Sequence, residues 1–242
     1  MSNQWTVQRV VGSFRLRGLR VAMHACRWLR LPSSWLGRLR QETFRKVFHQ
    51  NDWGSSESVS GPGSTLEATV EIRTKLPDLL RRLKVRTLLD APCGDFNWMP
   101  LVLKEVEINY IGADIVPELI KRNSAKFGGE RIKFLVLDLA TDELPVTDLL
   151  LCRDCLFHLP LTDVLAVLRR FADSEIPYLL ATNHPGCAAN AEIIPGEFRM
   201  LNLHRAPFGL PAPQLEIKED DLRGCGQVLA LWTREEVRNA LK

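Results

Sequence analysis

The chain has 242 residues, of which 45% are hydrophobic and 25% charged, a composition that excludes collagen-like, low-complexity and wholly disordered proteins. No run of about 18 uncharged apolar residues is present, so the sequence contains no candidate for a membrane-spanning helix. The net charge of +3 hides an asymmetry. Residues 1–46 hold ten basic residues and one acidic residue, a charge of +9, whereas residues 47–242 carry −6. Such a contrast indicates that the two parts have different surroundings.

Residues 1–46 form a basic amphipathic arm. On a helix, apolar residues between Val7 and Leu29 share one face, and Arg9, Arg17, Arg20 and other basic residues share the opposite face. This pattern suits contact with a membrane surface or packing on the rest of the chain. An organellar transit peptide is an alternative, and a nucleic-acid partner is the interpretation we favour least.

The six cysteines give no metal site. Cys152 and Cys155 form a C-R-D-C segment, but no second pair accompanies them, and the segment lies in an apolar passage from a strand to a helix. No secretory signal is recognisable. Free thiols in a cytoplasmic protein are therefore expected.

The central part begins with a connector, residues 47–64, rich in Gly and Ser, which is either a flexible linker or a lid over a ligand. The spacing of apolar residues predicts a helix over 65–84, capped by Ser64 or Thr65 and kinked or split at Pro77. Short apolar runs then alternate with helical patterns. The runs are 85–89, 108–113, 132–137, 149–152 and 178–181, and the helices are 98–106, 116–127 and 162–172.

This alternation predicts an α/β fold with a doubly wound, mostly parallel sheet, because runs that are apolar on both faces need helices on both sides. The last part differs. Residues 215–217 and 227–232 are predicted to form a pair of strands, and Thr233-Arg234-Glu235-Glu236 is a capping box that opens a final helix.

The predicted strands end in polar residues. Asp90, Asp114, Asp138 and Asp154 follow the first four, and His184 follows the fifth. Ligands bind at this edge of open α/β sheets. Asp114 lies 24 residues beyond Asp90, a separation suited to gripping ribose hydroxyls, whereas the first turn lacks G-x-G-x-x-G. This combination argues against NAD or FAD and favours a nucleoside ligand without a pyrophosphate.

Four segments resemble the motifs of class I S-adenosylmethionine-dependent methyltransferases: LLDAPCGDF, YIGADIVPELI, FLVLDL and LLLCRDCLFHL. The resemblance covers residues 85–184 well and 185–242 loosely. Pro92 and Phe96 depart from it, because glycines are common there. The resemblance implies a seven-stranded Rossmann-like methyltransferase domain over 65–242 that uses S-adenosylmethionine. The cofactor-binding residues it implies are Asp90, Ala91, Cys93, Gly94, Asp95, Trp98, Asp114, Ile115, Asp138, Leu139 and Cys152.

Within that set, the resemblance places the ribose at Asp114, adenine near Asp138 and Leu139, and the methionine part near Asp90 and the Cys93–Asp95 backbone. Each acid also has a purely structural interpretation: Asp90 could cap the following helix, and Asp138 could begin a turn. The order and spacing of the acids favour the cofactor interpretation.

Candidate catalytic residues follow the fourth strand. Asp154 and His158 are four residues apart, so that on a helical turn the carboxylate could orient His158 as a general base. Arg153 could hold a substrate carboxylate or phosphate. The alternative is that His158 packs in the core and that Arg153 and Asp154 form a structural ion pair.

The methyl acceptor is indicated only indirectly. The Asn/Asp-Pro-Pro-Tyr tetrapeptide typical of methylation at base or amide nitrogens is absent. The polar segment Asn183–Pro213, with candidate contacts Glu197, Arg199, Asn202 and His204, favours a hydroxyl of a small or glycan-like molecule. The alternatives are a protein or RNA acceptor docked by the arm, and a non-catalytic cofactor-binding module.

Overall fold

A computed structural model describes residues 33–219, 224 and 226–242. The chain divides into two compact units, Met1–Leu39 and Arg40–Lys242. The amphipathic stretch predicted between Val7 and Leu29 lies outside the described residues. Within the described part, no helix is both long and apolar enough to cross a membrane.

The second unit is built on one seven-stranded sheet. Its strands are β1 (Thr87–Asp90), β2 (Asn109–Asp114), β3 (Ile132–Val136), β4 (Leu149–Cys152), β5 (Tyr178–Asn183), β6 (Leu215–Lys218) and β7 (Val228–Thr233). The strand order is β3-β2-β1-β4-β5-β7-β6. Strands β1 to β5 are parallel, whereas β7 is antiparallel to both β5 and β6. The predicted doubly wound, mostly parallel sheet is thereby confirmed.

The helices of the described residues lie between these strands and at the two ends of the domain. They are α1 (Ser33–Gln50), α2 (Val70–Arg82), α3 (Met99–Leu103), α4 (Pro117–Phe127), α5 (Leu161–Asp173) and α6 (Arg234–Ala240). The capping box predicted at α6 is present: Thr233 Oγ1 accepts a hydrogen bond from the backbone N–H of Glu236, whose carboxylate accepts one from the Thr233 backbone. Both contacts satisfy N–H groups that the first turn of a helix leaves without partners.

Both faces of the sheet are buried, which is why the strand sequences are apolar without alternation. In β4, Leu150 and Cys152 belong to one hydrophobic cluster, and Leu149 and Leu151 belong to another. Consecutive side chains of a strand point to opposite faces, so each face of β4 packs in a separate core layer.

The helix expected over 65–84 is shorter than predicted. It begins at Val70, because the Thr65 side chain and carbonyl accept the backbone N–H groups of Ala68 and Thr69 in a preceding turn. The predicted cap at Ser64 or Thr65 is therefore wrong, since Thr69 is the residue before the helix. The predicted split at Pro77 is also wrong, because α2 runs through this residue to Arg82.

The connector is anchored to the sheet edge by hydrogen bonds. The Asp95 carboxylate accepts hydrogen bonds from the Ser58 hydroxyl at 2.9 Å, the Val59 backbone N–H at 3.0 Å and the Ser60 hydroxyl at 3.2 Å. On the other side of the segment, Trp53 stacks on His158 with ring centroids 5.4 Å apart. These contacts join the connector to residues that follow β1 and β4, and its role as a lid over a ligand stays a prediction.

Candidate active site

The ends of the central strands bring the predicted cofactor residues together. Asp90 lies opposite Gly112 of β2 and Leu151 of β4, and Asp114 ends the neighbouring strand two residues beyond Gly112. The sheet order reverses between β1 and β4, the position at which open α/β sheets bind ligands. The register thus places Asp90 beside the crevice that this reversal creates.

Asp90 is a desolvated carboxyl group. It is 3% exposed, and its Oδ2 accepts a hydrogen bond from the Tyr110 hydroxyl at 2.7 Å. Burial raises the pKa of Asp90 to about 7, because it disfavours the ionised form more than the Tyr110 hydrogen bond and the charge of Arg153 favour it. The Tyr110 contact could not be predicted from the sequence, because this residue stands within an apolar strand.

Asp114 is held by the backbone of its neighbours. Its carboxylate accepts N–H hydrogen bonds from Val116 at 3.0 Å and from Gly94 at 3.3 Å, the second joining the ends of β1 and β2. Burial raises the pKa of Asp114 to about 6, against the lowering effect of these backbone donors. Two carboxyl groups at this edge therefore have pKa values well above those of ordinary aspartates.

The backbone of the loop after β1 accounts for one departure from the motif, Phe96. Gly94 has φ +54°, and a Cβ there would lie 2.3 Å from the Ser60 hydroxyl, so only glycine fits. Phe96 adopts the same left-handed backbone with φ +60°, while its ring packs on Tyr110 and Phe134. A left-handed residue other than glycine costs about 1–2 kcal/mol, which the burial of a phenylalanine ring offsets. The backbone at position 96 therefore adopts the left-handed conformation that a glycine would adopt there.

Most of the other predicted cofactor residues are buried. Ala91, Cys93, Trp98, Leu139 and Cys152 are buried, and burial raises the pKa of the Cys93 thiol. The Ile115 carbonyl accepts a hydrogen bond from the Gln41 side chain at 3.0 Å.

Asp138 does begin a turn, and it is also paired. Its Oδ1 accepts the backbone N–H of Ala140, and its Oδ2 lies 2.7 Å from Nη2 of Arg40. Arg40, which is 3% exposed, also pairs with Asp163 at 3.0 Å. Helix α1 is thus joined to the predicted adenine side of the site, a contact that the spacing of motifs could not indicate.

Arg153 and Asp154 form part of a buried ionic cluster. Arg153 lies 3.1 Å from Asp154 and 2.6 Å from Glu219, and Gln227 donates hydrogen bonds to both acids. Burial acts to lower the pKa of Arg153, but the two carboxylates more than compensate and raise it. Sequence reasoning did not select Glu219 or Gln227, which the antiparallel β6–β7 pair brings to this point.

His158 and Asp154 are held by different groups. His158 lies in a short 3-10 turn, Leu156–His158, where its Nδ1 is 2.9 Å from the Glu197 carbonyl oxygen. Since a carbonyl only accepts, this contact places the proton on Nδ1 and leaves Nε2 as the basic nitrogen. Asp154 has φ +52° and accepts a hydrogen bond from Gln227 at 2.8 Å. The orienting group for His158 in these contacts is therefore a backbone carbonyl.

The segment 184–213 has no helix or strand and is ordered by its own polar side chains. Asn202 donates to the carbonyls of Pro185 and Cys187, and Nδ1 of His204 is 3.1 Å from the carbonyl oxygen of Leu210. Asn202 and His204 therefore support the segment. Arg199 is buried and lies beside the turn of His158.

The chain is similar in structure to known methyltransferases. No protein-family model matches it, and no curated protein matches it by sequence. A 1,6-didemethyltoxoflavin-N1-methyltransferase from Burkholderia thailandensis aligns at 16% identity over 84% of this chain and 90% of that chain, with a TM-score of 0.55. The methyltransferase domain of bacterial CtHen1-CN aligns at 14% identity over 67% of this chain and 97% of that domain, with a TM-score of 0.50.

A putative sarcosine dimethylglycine methyltransferase from Galdieria sulphuraria aligns at 20% identity over 48% of this chain, with a TM-score of 0.41. The chain covers 46% of that protein, so it spans less than half of its length. Taken with the strand order, the longer alignments show that the described domain has the Rossmann-like fold of class I S-adenosylmethionine-dependent methyltransferases, as the motifs predicted.

Proposed function

We propose that this protein is an S-adenosylmethionine-dependent methyltransferase that acts on a hydroxyl of a small or glycan-like polar acceptor. The observation that carries the proposal is the pair of buried carboxyl groups, Asp90 and Asp114, at adjacent strand ends of a methyltransferase fold. The Burkholderia enzyme and a further structural neighbour, PigF, contain S-adenosylhomocysteine in their solved structures.

The residues present fit this cofactor. A carboxylate at Asp114 can accept both ribose hydroxyls, and Asp90 can pair with the ammonium group of the methionine part. The backbone of Gly94 approaches closely because it has no Cβ. In the free protein, burial makes the ionised forms of Asp90 and Asp114 unfavourable. A cationic ligand with hydroxyl groups would stabilise those ionised forms. When bound, S-adenosylmethionine supplies an electrophilic methyl group on a sulfonium.

For the transfer itself, we assign His158 as the base. Its Nε2 would take the proton of the acceptor hydroxyl, and the group held at Asp90 and Asp114 would supply the methyl and leave as S-adenosylhomocysteine. The Glu197 carbonyl keeps the proton of the neutral ring on Nδ1, so that Nε2 is the nitrogen able to accept a proton. Replacement of His158 by Gln should lower kcat by about 10²–10⁴-fold and leave the affinity for S-adenosylhomocysteine within about twofold. An unchanged kcat would exclude the role.

Calorimetric titration with S-adenosylhomocysteine tests the cofactor assignment. Asp114→Ala removes a charged hydrogen-bond acceptor, a loss of about 1.5–3 kcal/mol in all, so the affinity should fall by about 10–100-fold. The matched control is Asp78→Asn on the exposed surface of α2, which should bind like the wild type. Absence of binding to folded wild-type protein would refute the proposed function.

The acceptor is identified by transfer of a labelled methyl group into size-fractionated cell extract, followed by mass spectrometry of the labelled product. A labelled methyl ether in the small-molecule or glycan fraction would support the proposal. Label confined to protein or RNA would instead support the macromolecular alternative, and labelled nitrogen would refute the hydroxyl assignment.

A further inference from the structure

Arg199 is a buried cation that forms no hydrogen-bonded ion pair with a described residue. The residue is 6% exposed, and its Nη1 donates to the Leu159 carbonyl at 2.6 Å. Its Nε and Nη2 are buried and have no hydrogen-bond partner. Desolvation lowers its pKa to about 10, an effect that Glu192 only partly opposes. An arginine remains charged at neutral pH even so.

The two unpartnered nitrogens form one edge of the guanidinium group. The N–H of Nε and one N–H of Nη2 point in the same direction, the arrangement that binds two oxygens of a carboxylate or phosphate. Arg153, the other arginine near the site, already has its Nε and Nη1 engaged by Glu219 and Asp154. Of the buried arginines in the described part of the chain, Arg40, Arg153 and Arg199, only Arg199 has an Nε–Nη2 edge without a protein acceptor.

Arg199 lies next to the proposed reaction centre. The Arg199 backbone N–H donates to the Phe157 carbonyl at 3.3 Å, and its side chain contacts the residue directly after His158. Two residues earlier, Glu197 holds the His158 ring. The same short segment therefore orients the proposed base and carries the unpaired cation. The neighbouring Phe198 and Met200 are exposed, as expected for an extended segment that turns Arg199 inward.

We propose that Arg199 binds an oxyanion, a carboxylate or phosphate, carried by the methyl acceptor. This inference rests on the proposed function and adds a chemical class to its substrate. A buried polar group without partners is destabilising, and such groups in native proteins commonly have a ligand or a functional role. Because the guanidinium is buried, binding includes local displacement of the 184–213 segment, which has no regular secondary structure to break.

The test uses full-length protein saturated with S-adenosylhomocysteine and labelled with carbon-13 and nitrogen-15 at arginine. The Arg199 Nε–H resonance is assigned through bonds to its own backbone amide, so the wild-type experiment needs no variant. Sodium phosphate and sodium acetate are titrated separately against sodium chloride at constant ionic strength. We expect a saturable shift of this resonance with one or both oxyanions and none with chloride.

The two anions separate the possible acceptor groups. A response to phosphate alone identifies a phosphoryl group, a response to acetate alone identifies a carboxylate, and a response to both supports a general oxyanion site. Failure of both to shift the resonance overturns the inference. Failure of the proposed function is distinct, because S-adenosylhomocysteine would then not bind before any anion is added.

A variant pair checks the same point by thermal unfolding. The responding anion should raise the melting temperature of the wild type, and Arg199→Gln should weaken its apparent affinity by about 10–100-fold. Arg205→Gln, at an exposed arginine of the same segment, should respond like the wild type. Equal anion responses of Arg199→Gln and the wild type would refute the assignment. If Arg199→Gln does not fold, the wild-type resonance decides the matter.

Discussion

Replacing the buried carboxyl group of Asp90 should raise the stability of the free protein and lower its affinity for the ligand. Its pKa rises from an ordinary 3.8 to about 7. At 1.36 kcal/mol per unit of pKa, keeping this group ionised above pH 7 destabilises the free protein by about 4 kcal/mol as an upper estimate. Asp90→Asn keeps the size of the side chain and an acceptor for the Tyr110 hydroxyl while removing the charge.

The direction of the pH dependence follows from proton uptake. Between pH 3.8 and about 7 the folded protein holds a proton on Asp90 that the unfolded chain has lost, so the free energy of unfolding falls as the pH rises. The contribution is fully present below pH 3.8 and is lost above about pH 7. Asp114 adds a smaller effect of the same sign between pH 3.8 and about 6.

Urea unfolding of the free protein at several pH values between 5 and 8 measures this effect. Asp90→Asn should be more stable than the wild type at pH 8, by up to about 4 kcal/mol, and should show a weaker pH dependence. The control, Asp173→Asn at the exposed end of α5, should follow the wild type at every pH.

Calorimetry with S-adenosylhomocysteine measures the opposite effect. The ammonium group of the ligand needs an ionised Asp90, so the wild-type affinity should rise about tenfold per pH unit up to pH 7 and then level off. Asp90→Asn should bind more weakly and with little pH dependence. A wild-type slope of stability with pH in this variant, or a wild-type affinity for the ligand at pH 8, would contradict a desolvated Asp90 that pairs with the ligand.

Three further substitutions test the surrounding structure. Gly94→Ala brings a Cβ to within 2.3 Å of the Ser60 hydroxyl in a left-handed position, so it should lower both the melting temperature and the affinity for S-adenosylhomocysteine. Gly129→Ala, where the added Cβ meets no atom within 4 Å, should change neither. Glu219→Leu leaves a buried guanidinium short of its main partner and should cost about 3–5 kcal/mol in urea unfolding; a loss below about 1 kcal/mol would contradict the buried pair. Thr233→Ala removes the capping box and should cost about 1 kcal/mol in the same assay, and an unchanged stability would contradict the cap.

Much of the fold follows from the sequence because its signals are local. Apolar runs without alternation predicted the parallel strands, and a polar residue at each strand end predicted the position of the ligand edge. The two errors at α2 are local as well. Thr65 makes the hydrogen bonds of a separate turn, which delays the helix to Val70, and packing of the apolar face keeps the helix continuous through Pro77.

The residues of the candidate site could be predicted only where they lie in the motif segments. Asp90, Asp114 and Gly94 meet at one edge because the parallel strands end there in register. The partners that tune them come from distant parts of the chain, among them Tyr110 on β2 and Arg40 on α1. No spacing rule selects these residues, since their contacts depend on how helices and strands pack.

Residues 1–46 carry a charge of +9 and the remainder carries −6. The sequence alone explains only part of this division. The sequence determined that the acids stand at strand ends and that the arm is basic. Tertiary structure decided which charges are neutralised: Asp138 by Arg40, and Arg153 by Glu219, whereas Asp90 and Arg199 stay buried with few compensating charges. The reason is that desolvation and pairing depend on surroundings that residues far apart in the chain create together.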